Sequence, residues 1–170
     1  MDKPWIVIDN LISNPARVIK EFGEGLSDLR NACSEGETRI VDGRSFIDAE
    51  VDRSVESGLR QASELTSISY ASTEPVWLLR YRVGGHYVWH GDNELLDFKE
   101  RKLSVIIALN DEYEGGNTEF MWPRPGYAEI VHLDPGSAVI FPSFMFHRAL
   151  PITSGERWVL LTFGVGQPFR

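Results

Sequence analysis

From Pro75 onward, turn-forming pairs recur at short intervals. Gly84-Gly85, Gly115-Gly116, Pro123 to Gly126, Pro135-Gly136 and Ser154-Gly155 interrupt brief runs rich in Val, Ile, Leu and aromatic residues. Glycine and proline at that spacing break helices and supply the dihedrals of tight turns, so this stretch is expected to fold as short strands. The runs place strands near 76–83, 86–90, 103–109, 117–121, 128–133, 137–142 and 157–165. Antiparallel strands of this length pack as a sandwich or barrel.

The chain ahead of Pro75 reads differently. Trp5 to Asp9 suggests a short strand. Asn14-Pro15 then opens a helix, with Asn as cap and Pro at the first helical position. Val18, Ile19, Phe22, Leu26 and Leu29 follow at helical spacing, with Gly23 and Gly25 able to end the helix early. Residues 31–50 have no clear period and read as loop, with a short strand around Arg39 to Val41. Val51, Val55, Leu59, Ala62 and Leu65 predict a second amphipathic helix. The expectation is one domain over 1–170: a helical N-terminal layer to about residue 75 and a double-sheet β core over about 76–168. Internal repeats, low-complexity tracts and linkers are absent from the sequence.

With 170 residues and 42% hydrophobic content, the chain can bury a real core. Its 17 basic against 25 acidic residues give a net charge of −8, which puts binding to phosphate backbones or anionic membranes at a disadvantage. Cys33 is the only cysteine, which excludes an internal disulfide and a thiolate zinc cluster. The N-terminus lacks a basic segment leading into an apolar stretch, and no run approaches the roughly 18 apolar residues of a membrane span. A soluble cytoplasmic domain is the expectation. Oligomeric state is left open.

Four histidines occur: His86, His90, His132 and His147. His90-Gly91-Asp92 sets an imidazole and a carboxylate two residues apart, on one face of an extended chain, where both could grip one ion. Gly91 lets the backbone turn between them. A His-x-Asp pair alone is common in loops. A second imidazole from a distant strand would complete a two-histidine, one-carboxylate face with open positions, as iron(II) oxygenases need. His147 is the best third ligand, because it follows the apolar run Phe141 to Phe146 and a buried imidazole there would want a partner. His86 and His132 read as ordinary hydrogen-bonded residues.

Arg157 opens the run Trp158 to Phe163 and shares a strand face with Val159, Leu161 and Phe163. A guanidinium at the head of an apolar face is either exposed at the strand edge beside Glu156 or buried against an anion. A carboxylate suits its planar fork, and with a metal triad nearby a cosubstrate carboxylate is the better partner.

Read together, these residues resemble the prolyl-4-hydroxylase-like group of 2-oxoglutarate oxygenases. The matching line runs Tyr81-x-x-Gly84-x-x-Tyr87-x-x-His90-x-Asp92, then Leu103-Ser104 through Leu109-Asn110. It continues with Tyr113-Glu114-Gly115-Gly116-Asn117-Thr118-Glu119-Phe120, Pro135 to Phe141, His147 and Gly155-Glu156-Arg157. The match is strongest from about residue 76 to 165, and the Val7 to Leu11 opening and the helices extend it more weakly.

The resemblance implies a double-stranded β-helix, or jelly roll, with helices packed on one sheet. It implies that His90, Asp92 and His147 ligate Fe(II), that Arg157 pairs with the distal carboxylate of 2-oxoglutarate, and that Tyr81 adds a phenolic hydrogen bond at the same end. Many relatives carry an aromatic residue just before the Leu-Asn pair. Here that position is Ala108, which leaves more room. The paired glycines and Gly136 read as turn chemistry, Tyr87 as a packed aromatic, and Trp89 and Trp122 as candidate lining of an entrance. The implied reaction is hydroxylation of a prolyl residue in a peptide or protein, using 2-oxoglutarate and dioxygen, with ascorbate as an accessory reductant. A free amino acid or small metabolite is the alternative substrate. A cupin-like metal- or ligand-binding module without turnover is the rival outside enzymology.

Overall fold

The computed structural model describes residues 3–29, 31–33, 36–93, 95–96 and 99–169. Among these, two antiparallel sheets face each other. The larger runs in the order Ile6–Ile8, Ala138–Pro142, Lys99–Ala108, Arg157–Gly166, Val76–Tyr81, Asp42–Phe46 and Ser27–Asp28. Ser72–Thr73 and Leu95–Leu96 pair onto its long central strands. The smaller runs Ala128–Val131, Thr118–Met121, His147–Ala149, His86–His90, Gly36–Ile40 and Asn31–Cys33. A separate ribbon pairs Tyr113–Gly115 with Ile152–Gly155. This is the jelly-roll core that the turn spacing and the resemblance imply.

Two-fold alternation along the strands explains why their sequences are nearly all apolar. On Arg157–Gly166, Trp158 and Leu160 face one way and pack with the helix residues Val18, Val51, Val55, Leu59 and Ala62. Val159 and Leu161 face the other way and pack between the sheets with Tyr81, Ile106, Phe120 and Phe141. Both faces of the large sheet are covered, so most side chains of its central strands, Leu103–Ala108 and Arg157–Leu160 among them, are removed from water.

Both helices begin where their capping residues require. Asn14 Oδ1 accepts from Arg17 N at 3.1 Å and starts Pro15–Phe22. Gly23 ends that helix, so Leu26 and Leu29 lie beyond it. Asp48 accepts from the backbone N–H groups of Glu50 and Val51 at the head of Ala49–Thr66. Val51, Val55, Leu59 and Ala62 are buried as the spacing predicts, but Leu65 is 71% exposed, because the last turn overruns the sheet. Arg17 joins the two helix starts: its guanidinium donates to both carboxylate oxygens of Asp48, at 3.0 and 3.1 Å.

Residues 31–50 depart from expectation. They hold strands Gly36–Ile40 and Asp42–Phe46, one in each sheet, instead of a loop with a short strand. Their polar composition hid them. Asp42 is polar because its carboxylate meets Arg80 and Arg82. Gly43 is small because a Cβ there would come within 2.6 Å of Leu79 and 2.8 Å of Leu29. The strands His147–Ala149 and Ile152–Gly155 are also additions to the expected set, split by Pro151 and too short to carry a period.

Candidate metal centre and anion pocket

The centre is built across neighbouring strands of the smaller sheet. His90 ends His86–His90 and His147 begins His147–Ala149, and the two are direct antiparallel partners. Their ring centroids lie 4.2 Å apart. Asp92 follows the strand end and is fixed by its own backbone, whose N–H donates to Ser143 O at 2.7 Å. Its carboxylate oxygens each stand 3.4 Å from an imidazole: Oδ1 from His90 Nε2 and Oδ2 from His147 Nε2. One ligand atom from each of the three residues falls within 4.8 Å of the others. His90, Asp92 and His147 are therefore brought together as anticipated. His86 and His132 are not part of this group.

The hydrogen bonds of the rings suit a divalent metal. His90 Nδ1 lies 2.7 Å from Val88 O, and His147 Nδ1 lies 3.0 Å from Met145 O. A carbonyl can only accept, so each ring donates from Nδ1 and turns its Nε2 toward Asp92. Burial holds the His147 pKa below the ordinary histidine value, against the opposing pull of Asp92. Burial pushes the Asp92 pKa up, but His147, His90 and the Ser104 hydroxyl outweigh it, and the net shift is downward. The donor set is thus two imidazole Nε2 atoms and one carboxylate. Gly91, between the ligands, is not in a left-handed conformation. A Cβ there would closely approach only the exposed Asn93 side chain, whose Oδ1 would lie 3.1 Å away.

Arg157 heads its strand in the larger sheet as the direct partner of Tyr81. It is 5% exposed, which rejects the edge-of-strand alternative. Its Nη2 donates to Thr118 Oγ1 at 2.7 Å, and among the described residues no carboxylate pairs with it. A guanidinium buried without a counter-charge calls for an anionic ligand. The cavity that it lines is the one lined by His90, Asp92 and His147, together with Tyr81, Tyr87 and Thr118. Burial raises the Tyr81 pKa, with Arg157 opposing, so the phenol stays protonated and able to donate.

Several residues play roles that their sequence context did not reveal. Thr118 enters the cavity because Gly115 and Gly116, both at positive φ (+74° and +63°), turn the chain into Thr118–Met121. Tyr87 is a wall of the site as well as packing: its ring stacks on His90 with centroids 3.5 Å apart. Ser104 and Ser143 lie behind Asp92. The repeated Gly-Gly and the apolar strand around Ser104 were visible signals, but neither says which side chains they bring together. Ala108 is buried and lines a second cavity of about 350 Å³ with Thr118, His132 and Arg157, so the extra room lies on the far side of the guanidinium. Neither Trp89 nor Trp122 lines the metal-side cavity. Trp89 lies under Arg148, and Trp122 packs edge-on against Trp5.

Comparison with known proteins agrees with this geometry. The family model described as the 2OG-Fe(II) oxygenase superfamily matches residues 76–164. A PKHD-type hydroxylase of Colwellia psychrerythraea is 29% identical over 127 residues, covering 71% of this chain and 56% of that protein. The chain spans 56% of that protein and 37% of a PKHD-type hydroxylase of Parvibaculum lavamentivorans, and 76% of one of Sphingopyxis alaskensis. Among solved structures, a Pseudomonas putida prolyl-4-hydroxylase has a TM-score of 0.74 at 19% identity, covering 97% of this chain and 94% of that one. The viral collagen prolyl hydroxylase of Paramecium Bursaria Chlorella virus-1 has a TM-score of 0.73 at 20% identity, covering 96% and 97%. At these identities the structural likeness shows the shared jelly-roll fold. No described helix is long and apolar enough to cross a membrane. The family match covers more than half of the chain, carries the His-x-Asp, second-histidine and arginine positions, and so shows that this protein belongs to the 2OG-Fe(II) oxygenase superfamily.

Proposed function

We propose that this protein is an Fe(II)- and 2-oxoglutarate-dependent dioxygenase that hydroxylates a prolyl residue in a peptide or protein. The observation that carries the reading is one cavity holding both parts of the machinery. The Nε2 atoms of His90 and His147, the Asp92 carboxylate and the buried Arg157 guanidinium all line it. His90, Asp92 and His147 would hold the metal. Iron and 2-oxoglutarate, when bound, would let dioxygen act as the oxidant, one oxygen atom ending in succinate and the other in the substrate hydroxyl as carbon dioxide is released.

The chain's own residues bind, orient and keep dry. Arg157 receives the distal carboxylate of the cosubstrate through paired N–H donors, held in place by Thr118, and Tyr81 donates a phenolic hydrogen bond beside it. Leu79, Ile106, Val159 and Leu161 complete the walls and exclude water. An outer cleft of about 230 Å³ shares Leu79, Tyr87, Asp92 and Leu161 with the inner cavity and adds Trp77 and Phe163. Its aromatic surfaces suit a pyrrolidine ring, and the relatives named as prolyl hydroxylases favour the same substrate. The net charge of −8 favours action on proteins or peptides over action on nucleic acid.

The test is spectroscopic, then chemical. Anaerobic addition of Fe(II) followed by 2-oxoglutarate is expected to give a weak visible charge-transfer band that needs both components. Proline-containing peptides are then expected to stimulate succinate release under oxygen. No band in folded, metal-loaded protein would overturn the oxygenase reading. A band with turnover only on free amino acids would move the substrate to that class.

A further inference from the structure

Two serines stand where an apolar core is expected. Ser104 lies within the strand Lys99–Ala108, flanked by Leu103 and Val105, and Ser143 follows the strand Ala138–Pro142. Both are 0% exposed. A buried hydroxyl costs free energy unless it is hydrogen-bonded, and these two bond to each other and to Asp92. Ser104 Oγ donates to Asp92 Oδ2 at 2.8 Å, and the two serine oxygens lie 2.9 Å apart. The ionised carboxylate can only accept, so the single Ser104 proton is committed to Asp92. Ser143 must therefore donate to Ser104. The same Ser143 accepts the Asp92 backbone N–H through its carbonyl, and its own N–H donates to Lys102 O at 3.0 Å.

We propose that Ser143 and Ser104 form a positioning relay that donates to Asp92 Oδ2 and so fixes the rotation of this metal-ligating carboxylate against the Nε2 atoms of His90 and His147. This rests on the reading of His90, Asp92 and His147 as the metal centre. The terminal torsion of an aspartate is broad and two-fold, so packing alone does not decide which oxygen points where. A hydrogen bond to one oxygen does. The relay ties Asp92 to the turn that orients His147, because Met145, two residues after Ser143, supplies the carbonyl that holds His147 Nδ1.

Titration of the metal-free protein with Mn(II), a redox-inert stand-in for ferrous ion, reads the relay without any turnover. Ser104→Ala is expected to weaken Mn(II) binding about 10- to 100-fold, the usual loss when an outer partner of a metal ligand is removed. Ser143→Ala should weaken it by a smaller factor, and Ser104→Thr should restore binding to near the wild-type value. Thermal melting of each metal-free variant separates a loss of fold from a loss of affinity. If Ser104→Ala does not fold, Ser104→Cys, which keeps the size and only a weak donor, carries the same expectation. Wild-type affinity in a folded Ser104→Ala or Ser104→Cys protein overturns the relay. Failure of the wild-type protein to bind Mn(II) removes the metal centre itself and the relay with it. Loss of binding in Asp92→Ala alone leaves the centre standing and the relay rejected.

Discussion

His90 and His147 are direct Cα partners on adjacent antiparallel strands, with their rings 4.2 Å apart and Asp92 against both. Since each supplies one Nε2, replacing His147 or Asp92 with Ala is expected to remove metal binding and turnover together. Metal titration and succinate release measured on the same samples check this. Retained 2-oxoglutarate decarboxylation in either variant would reject the assignment.

Arg157→Gln is expected to raise the KM for 2-oxoglutarate about 10- to 100-fold, the loss of roughly 1.5–3 kcal/mol of charge-assisted hydrogen bonding. Metal affinity should not change. Thr118→Val keeps the shape but removes the oxygen that holds Nη2, so a several-fold rise in KM is expected. Steady-state kinetics in 2-oxoglutarate decide both, and an unchanged KM in Arg157→Gln would dismiss its role.

Burial lowers the His147 pKa in the folded, metal-free protein. As pH falls through the ordinary histidine value of about 6.5, the unfolded chain takes up a proton that the folded protein refuses. Stability is therefore fully present above that pH and declines below it. Melting temperatures of the metal-free protein between pH 8 and 5 should show the slope, and His147→Gln should flatten it. Equal slopes for the two proteins would contradict this origin.

Asp48 caps the second helix and pairs with Arg17, and the Arg17 hydrogen bond, more than the helix N–H groups, lowers its pKa to about 2. A depressed carboxylate contributes stability above its unfolded value of about 4, and the contribution is lost as pH falls toward 2. Asp48→Ala is expected to cost about 1 kcal/mol, roughly 2–4 °C in Tm at neutral pH. The deficit relative to wild type should shrink in acid. A constant deficit down to pH 2 would place the effect elsewhere.

The strand runs after Pro75, the first helix start, the apolar stripe of the second helix and the His90, Asp92, His147 and Arg157 candidates were legible because each is written in local chemistry. Turn residues, capping residues, a two-residue ligand spacing and a charge at the head of an apolar face announce themselves within a few positions. Strands Gly36–Ile40 and Asp42–Phe46 were not legible. Asp42 and Gly43 answer to Arg80, Arg82, Leu79 and Leu29, whose nearness is a product of folding. Thr118, Tyr87, Ser104 and Ser143 were hidden for the same reason, since nothing nearby in the chain distinguishes a hydroxyl that meets Arg157 or Asp92 from one in an ordinary strand.

The sequence by itself determined the secondary-structure alphabet, the identity of the metal-ligand candidates and the need of Arg157 for a partner, because backbone dihedral preference and side-chain chemistry are local properties. Tertiary structure alone decided that His90 and His147 are neighbours, that each ring donates from Nδ1 to a backbone carbonyl, and that Arg157 is buried in the same cavity with no carboxylate partner among the described residues. Those facts depend on strand register and on which carbonyls and hydroxyls the closing of two sheets brings within hydrogen-bonding distance.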